Sequence, residues 1–213
     1  MRTRRHRRVP RRDERGAVLV ELAFVAPILL TLSLGAFDLG MGWRADITIS
    51  NATRAAARVT SSLGVTDTAD YAGLVALGAA LGTTPTSEVE RIVVFKASSS
   101  SATVPSNCLS ASVLAAGGSA ADNCNVYSST ELAYALAHPN TPPAGYTGAC
   151  PGSRRDRFWC APARANTQLV GGTGLDYVGV QIRVNHATAT RLFTPTIMLI
   201  DTAVMRIEPS AGS

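Results

Sequence analysis

Residues 17–37, AVLVELAFVAPILLTLSLGAF, form the stretch that decides the architecture of this chain. Glu21 is its only charged residue. Twenty-one helical residues at about 1.5 Å each span about 30 Å, which is the thickness of a bilayer hydrocarbon core. We therefore expect a single transmembrane helix here. The alternative is a buried core helix of a soluble protein, but such helices are usually shorter and amphipathic.

The positive charge of the chain is concentrated before this helix. Residues 1–15 contain eight Arg against Asp13 and Glu14, so a leader of net +6 precedes a body of net −1. A body so close to neutral offers no basic face, and we expect no nucleic-acid partner. Arg-rich flanks stay in the cytoplasm. The leader, residues 1–16, is therefore predicted to be cytoplasmic and in contact with membrane lipid at most, and residues 64–213 to be extracytoplasmic.

Two details distinguish the predicted helix from a plain anchor. Glu21 lies about 6 to 8 Å into the apolar stretch, and an ionisable group at that depth indicates a functional site. Gly16 ends the charged leader, so Glu21 is the fifth residue counted from Ala17. A basic leader, a Gly and an apolar helix with Glu at its fifth position are together the arrangement of a type IV prepilin.

Over residues 15–58 the sequence resembles the amino-terminal signature of the TadE-like family, the pseudopilins of tight-adherence pilus systems. The residues that carry the resemblance are Gly16, Val20-Glu21, Pro27, Gly35-x-x-Asp38 and Asn51-x-x-Arg54-Ala55-Ala56-Ala57-Arg58. Residues 201–209 are more weakly similar to the closing strand of these proteins.

The resemblance implies a processed, single-pass protein of the bacterial cell membrane. A prepilin peptidase would cut between Gly16 and Ala17 on the cytoplasmic face, where a Gly without Cβ allows close approach of the protease. Glu21 would then meet the α-amino group of a neighbouring subunit. The implied function is assembly of an adhesive pilus or a related secretion apparatus, with other pseudopilins or pilus-assembly proteins as partners.

The helix is expected to continue beyond the membrane over residues 38–63. Apolar residues recur there at mostly helical spacing and predict a stripe that packs on the globular domain. These residues are Leu39, Trp43, Ile47, Ala55, Val59 and Leu63.

The remaining chain predicts an α+β domain with a small antiparallel sheet. Residues 69–81 are rich in Ala and Leu and predict a short helix, weakened by its two glycines. Residues 91–95 and 197–207 read as strands. Residues 177–185 alternate between apolar and polar side chains and predict a strand buried on one face.

Residues 98–175 contain most of the loop signals and all four cysteines, so we interpret them as an insertion. Ser128-x-x-Glu131 is a capping box that opens a short helix ended by His138-Pro139. An even number of extracytoplasmic cysteines predicts disulfides. Of three connectivities we prefer the two that close short local loops, namely Cys108 with Cys124 and Cys150 with Cys160. A zinc site is the alternative, although no CxxC pair occurs.

No catalytic constellation is apparent in the sequence, so we expect neither an enzyme nor a cofactor. Residues 171–174, Gly-Gly-Thr-Gly, lack the Lys of a phosphate loop and predict a turn. Two other functions stay open beside the pseudopilin reading. One is an unprocessed, membrane-anchored protein whose insertion binds an extracellular ligand. The other is a secreted protein cleaved near Ala36.

Overall fold

The computed structural model describes residues 15–166 and 174–209. Its helices are α1 (Arg15–Leu63), α2 (Ala69–Leu81), α3 (Ala111–Ala116) and α4 (Ser129–Ala137), and its strands are β1 (Val89–Ala97), β2 (Gly118–Ser119), β3 (Cys124–Tyr127), β4 (Tyr177–Ala187) and β5 (Thr196–Arg206). The fold is α+β, as expected. The basic leader up to residue 14 and most of the turn predicted at 171–174 lie outside the described residues.

The helix predicted across the membrane and its extension form one continuous element. Helix α1 is 49 residues long and contains Pro27 without a break. A single proline is tolerated in such a helix because it removes only one backbone hydrogen bond there. Its second half, from about residue 38, packs on the domain, whereas its first half extends beyond it.

The face of α1 that packs on the domain is not the predicted one. Leu39 and Trp43 are each 73% exposed and Ile47 is 51% exposed, so this part of the predicted stripe is wrong. The buried face consists mainly of small residues, namely Gly42, Ala45, Ala52, Thr53, Ala56, Ala57 and Thr60, with Ile49 as its one large side chain. Small side chains allow the backbones of packed elements to approach closely. The large apolar side chains therefore lie on the opposite side of the helix.

Helix α2 uses a glycine at this contact. A Cβ at Gly73 would lie 2.1 Å from the Oγ1 atom of Thr60 on α1. By helix propensity alone, Gly73 is only a weakness of the helix. In the structure the missing side chain is what allows α1 and α2 to touch.

The sheet is antiparallel and has the order β2-β3-β1-β4-β5. The alternation predicted in β4 is confirmed, since Val178, Val180, Ile182 and Val184 are all buried. They belong to the main core between the sheet and helices α1, α2 and α4. Opposite them, Phe95 and Val93 lie in a second core that the cysteine-bearing segment covers.

Part of the predicted insertion belongs to the sheet. All four residues of β3 are buried, and this strand pairs with β1 from Ile92 opposite Tyr127 to Phe95 opposite Cys124. A strand of four residues, all of them buried, shows no alternation from which to recognise it. The helix predicted next is confirmed as α4. The Ser128 N–H donates to Glu131 Oε2 at 2.8 Å, and the Glu131 N–H donates back to Ser128 Oγ at 3.4 Å.

A close contact in the sheet predicts the effect on stability of adding one methyl group at Gly179. Gly179 pairs with Phe95, and a Cβ at Gly179 would lie 2.2 Å from the fully buried ring. We expect Gly179→Ala to lower the free energy of unfolding by about 1 to 3 kcal/mol, as overpacking does. Denaturant unfolding in detergent, followed by near-ultraviolet circular dichroism, measures the change. Gly40→Ala is the control because its Cβ would meet no atom within 4 Å. Equal stability of the two variants would contradict the packing described.

Candidate functional site

The first half of α1 presents an apolar surface that the protein itself does not cover. Its large apolar side chains between residues 18 and 34 are 40 to 73% exposed. The helix is the one described element that is long and apolar enough to cross a membrane. A continuous apolar surface of this size requires lipid or protein around it. Together, its length and its exposure indicate that α1 anchors the protein in a membrane.

The predicted processing residues lie at the free end of this helix. Gly16 and Ala17 are in its first turn and exposed, and a Cβ at Gly16 would have no atom within 4 Å. Among the described residues, none packs against the Gly16–Ala17 bond.

Glu21 lies one turn beyond Ala17 on the same side of α1. Four helical residues correspond to about 6 Å along the axis. The Glu21 side chain is exposed, and no described residue forms an ion pair with it. A charge at the centre of a membrane helix costs about 2.5 to 3.5 kcal/mol in insertion assays. A favourable partner for this carboxylate therefore comes from lipid headgroups, from the amino terminus or from another chain.

Gly35 and Asp38 mark the point where α1 reaches the domain. The loop between β4 and β5, residues 188–195, contacts the helix there. Thr190 donates its backbone N–H to Asp38 Oδ1 at 3.0 Å and its hydroxyl to Asp38 Oδ2, and this carboxylate is only 7% exposed. The Phe193 ring lies over Gly35, where a Cβ would come within 2.9 Å of it. The two residues are three apart, so they present one face of the helix to one loop.

The Gly35-x-x-Asp38 motif is visible in the sequence, but its partners are not. Thr190 is 152 residues away from Asp38 along the chain. The loop that contains it, ATATRLFTPT over residues 187–196, has no motif of its own. A groove of about 690 Å³ lies between this loop and α1, lined by residues that include Leu32, Leu39 and Ile197.

The four cysteines form two local disulfides in the structure. Cys108 is bonded to Cys124 and Cys150 to Cys160, which is the connectivity that the sequence analysis prefers. The first bond fastens the second core to β3, and the second closes a surface loop. Within residues 15–166 and 174–209, no group of three His, Cys, Asp or Glu side chains is arranged to hold a metal ion.

A buried polar network joins the loop closed by the Cys150–Cys160 disulfide to α2. No motif in the sequence predicts this network. Asp70, on α2, accepts hydrogen bonds from Tyr127 Oη at 2.8 Å, from Asn125 Nδ2 at 3.2 Å and from Arg164. The Arg164 guanidinium also stacks over the Trp159 ring, 4.2 Å from its centroid. Buried charges are stable only when they are paired and hydrogen-bonded. The network therefore holds the loop against the helix.

A second buried ion pair lies beside this network. Arg154 is 1% exposed, and its guanidinium donates to both carboxylate oxygens of Asp156 at 2.8 and 3.0 Å and to Asp67 at 3.0 Å. The hydrogen bonds to Asp156 raise the pKa of Arg154. Asp156 also accepts the Ala161 N–H at 2.9 Å. These contacts fix the conformation of the loop that the second disulfide closes.

Comparison with known proteins identifies one part of the chain. The molecule is a membrane-anchored α+β protein, and the family model described as TadE-like protein matches residues 16–58. The match covers Gly16, Glu21, Gly35 and Asp38, so the resemblance seen in the sequence is confirmed over this segment. No curated protein and no solved structure matches the chain. The match supports a TadE-like amino-terminal segment, and the exposed apolar helix supports a membrane anchor.

The buried tyrosines predict how stability depends on alkaline pH. Burial raises the pKa of Tyr127 well above its ordinary value of 10.0 and also raises that of Tyr146. In the unfolded chain both phenols ionise near pH 10, whereas the folded protein keeps them protonated. The contribution of the two phenols to the free energy of unfolding is therefore complete below about pH 10. Above that pH it is lost by about 1.4 kcal/mol per pH unit for each phenol.

Tyr146→Phe isolates one of these phenols. Within the described part of the chain the Tyr146 hydroxyl is buried without a hydrogen-bond partner, so the variant should be as stable as the parent at neutral pH, or more so. Above pH 10 its stability should fall less steeply, by about 1.4 kcal/mol per pH unit. Denaturant unfolding between neutral and alkaline pH measures both slopes. Identical slopes would contradict the ionisation of Tyr146 on unfolding.

Proposed function

We propose that this protein is a pseudopilin of a tight-adherence pilus or related secretion apparatus, processed between Gly16 and Ala17. In this proposal the protein acts by packing its helix against partner helices and presenting its domain, and it catalyses no reaction. The observation that carries the proposal is the exposed apolar segment of α1 at residues 17–37, whose only charge, Glu21, lies one turn from the predicted cleavage point.

The orientation of the protein in the membrane is inferred from the Arg-rich leader that precedes the apolar segment. The eight Arg of residues 1–15 favour a cytoplasmic amino terminus and an extracytoplasmic domain. Two disulfides in the domain agree with an oxidising compartment. In this orientation the Gly16–Ala17 bond faces the cytoplasmic side of the membrane, where a membrane-embedded prepilin peptidase would cut it.

Cleavage would create a charged partner for Glu21, which forms no ion pair among the described residues. The new α-amino group of Ala17 is positive, and in a bundle whose neighbouring helices are staggered by about one turn, or about 6 Å, it would lie at the depth of a neighbour's Glu21. Opposite charges attract most strongly where the dielectric constant is low, as among apolar helices. Assembly would thus offset the cost of burying both charges, and pairing would fix the register of adjacent helices.

Processing separates the proposal from its alternatives. We expect the protein extracted from membranes of cells with an active prepilin peptidase to begin at Ala17, and intact-mass analysis and amino-terminal sequencing will show this. Gly16→Ala is the matched variant, since the added Cβ meets no atom of the described residues within 4 Å and should affect only the protease. Retention of residues 1–16 by the parent chain would favour an unprocessed anchored binding protein. Cleavage near Ala36 would favour secretion.

Variants of Glu21 test its role in assembly. We expect Glu21→Gln, which keeps the shape and removes the charge, to leave membrane insertion and cleavage largely unchanged. The same variant should lose co-purification with partner pseudopilins and surface adherence. Glu21→Asp, which keeps the charge, should retain part of the co-purification and part of the surface adherence.

Moving the charge provides the matched control. Val25 is one turn further along the same face, so Glu21→Gln combined with Val25→Glu keeps the net charge but misplaces it by about 6 Å. We expect this double variant to remain defective in assembly. Normal assembly by Glu21→Gln would show that Glu21 merely extends to the headgroups, as charged side chains near helix ends do.

A further inference from the structure

The loop between β4 and β5 has apolar side chains at its tip that the protein does not cover. Leu192 is 48% exposed and Phe193 is 68% exposed. They are adjacent in sequence and follow Arg191, which is also exposed. Single exposed apolar side chains are common on soluble proteins. This pair differs from such isolated side chains because it lies beside the apolar segment of α1.

The tip lies at the level where α1 leaves the bilayer. The Phe193 ring packs over Gly35, which lies within the apolar segment 17–37. Eighteen residues separate Gly35 from Ala17, which places it about 27 Å along the helix axis. The hydrocarbon core is about 30 Å thick. Phe193 therefore lies at the depth of the outer few ångströms of the acyl chains on the domain's side of the membrane.

Hydrogen bonds hold the tip in this place. The buried carboxylate of Asp38 accepts both the N–H and the hydroxyl of Thr190. The Leu192 N–H donates to Thr190 Oγ1 at 3.3 Å, and the Thr188 N–H donates to the Pro195 carbonyl at 3.1 Å. Pro195 itself has no N–H to satisfy. These bonds satisfy the backbone N–H groups of Thr188, Thr190 and Leu192, which lowers the cost of bringing the loop to the membrane.

We propose that residues 191–193 form a second membrane contact, in which Leu192 and Phe193 insert into the leaflet nearest the domain. Arg191 then lies at headgroup level, where its apolar stem covers acyl chain and its guanidinium meets lipid phosphate. The occupant of this surface is lipid because the surface is continuous with the exposed apolar face of α1. The proposal requires that α1 cross a membrane but is independent of processing at Gly16 and of pilus assembly.

Depth-dependent quenching in vesicles tests this contact on the full-length protein. All four native cysteines are in disulfides, so a single introduced cysteine can carry a fluorophore. Leu192→Cys places it at the tip. Ser100→Cys is the control because it is exposed just beyond β1, whose Ala97 pairs with Tyr177 at the far end of the sheet from the loop. The vesicles contain phosphatidylcholine and phosphatidylglycerol, with or without lipids brominated on their acyl chains.

We expect quenching by brominated lipid to be several-fold greater at Leu192→Cys than at Ser100→Cys. Bromines near the headgroup end of the chains should quench more than bromines at the bilayer centre. Equal quenching at the two positions would overturn the proposal. So would a tip fluorophore that is protected from aqueous iodide only at high protein density and is not quenched by brominated lipid, since a second copy of the chain would then cover the surface.

A second variant tests the role of Asp38 as a positioning residue. Asp38→Ala in the Leu192→Cys protein removes the acceptor for Thr190 and should reduce the quenching at the tip, while the Ser100→Cys reading and the near-ultraviolet circular dichroism stay unchanged. Quenching that persists at its full level in Asp38→Ala would show that the carboxylate does not hold the tip at the membrane.

Discussion

The close packing of small residues along the second half of α1 is the contact on which the rest of the structure depends. Ala45, Ala52 and Ala56 let the sheet and α2 approach the helix axis, and Gly73 on α2 extends the same principle to Thr60. Interiors are packed at nearly crystalline density, so a larger side chain in this row would push the layers apart. Because small residues form the buried face of the helix, its large apolar side chains lie on the opposite, exposed side.

The polar interactions of the domain serve a complementary purpose. The helices cover one face of the sheet, and the segment around the Cys108–Cys124 disulfide covers the other face. The segment between Cys150 and Cys160 instead adds Trp159 to the main core. Two disulfides and the buried pairs around Asp70 and Asp156 hold these segments in place. Breaking such a pair leaves an uncompensated buried charge, which typically costs 3 to 5 kcal/mol. The segment interpreted as an insertion is therefore part of the folded core.

Local signals in the sequence predicted the elements that depend on local chemistry. The length of the apolar stretch, the capping box at Ser128 and the alternation in β4 each reflect interactions within one element, and all three are confirmed. Strand β3 was not predicted because four buried residues in a row show no periodicity. The apolar stripe of α1 was misassigned because hydrophobicity shows that a face avoids water but does not show what covers it. The pairing of Asp70 with Arg164 joins residues 94 apart, and only the fold brings them together.

The unbroken course of α1 has a geometric consequence for any assembly built on its first half. Because the domain packs along the second half of α1, and residues 38–63 contain no proline, the domain cannot rotate independently of its anchor. The rotation of the helix about its own axis in a bundle therefore sets the side of the bundle on which the sheet and its cysteine loops lie. Neighbouring subunits that share one helical register would display their domains at fixed angular steps. An ordered outer surface would then arise without contacts between the domains themselves.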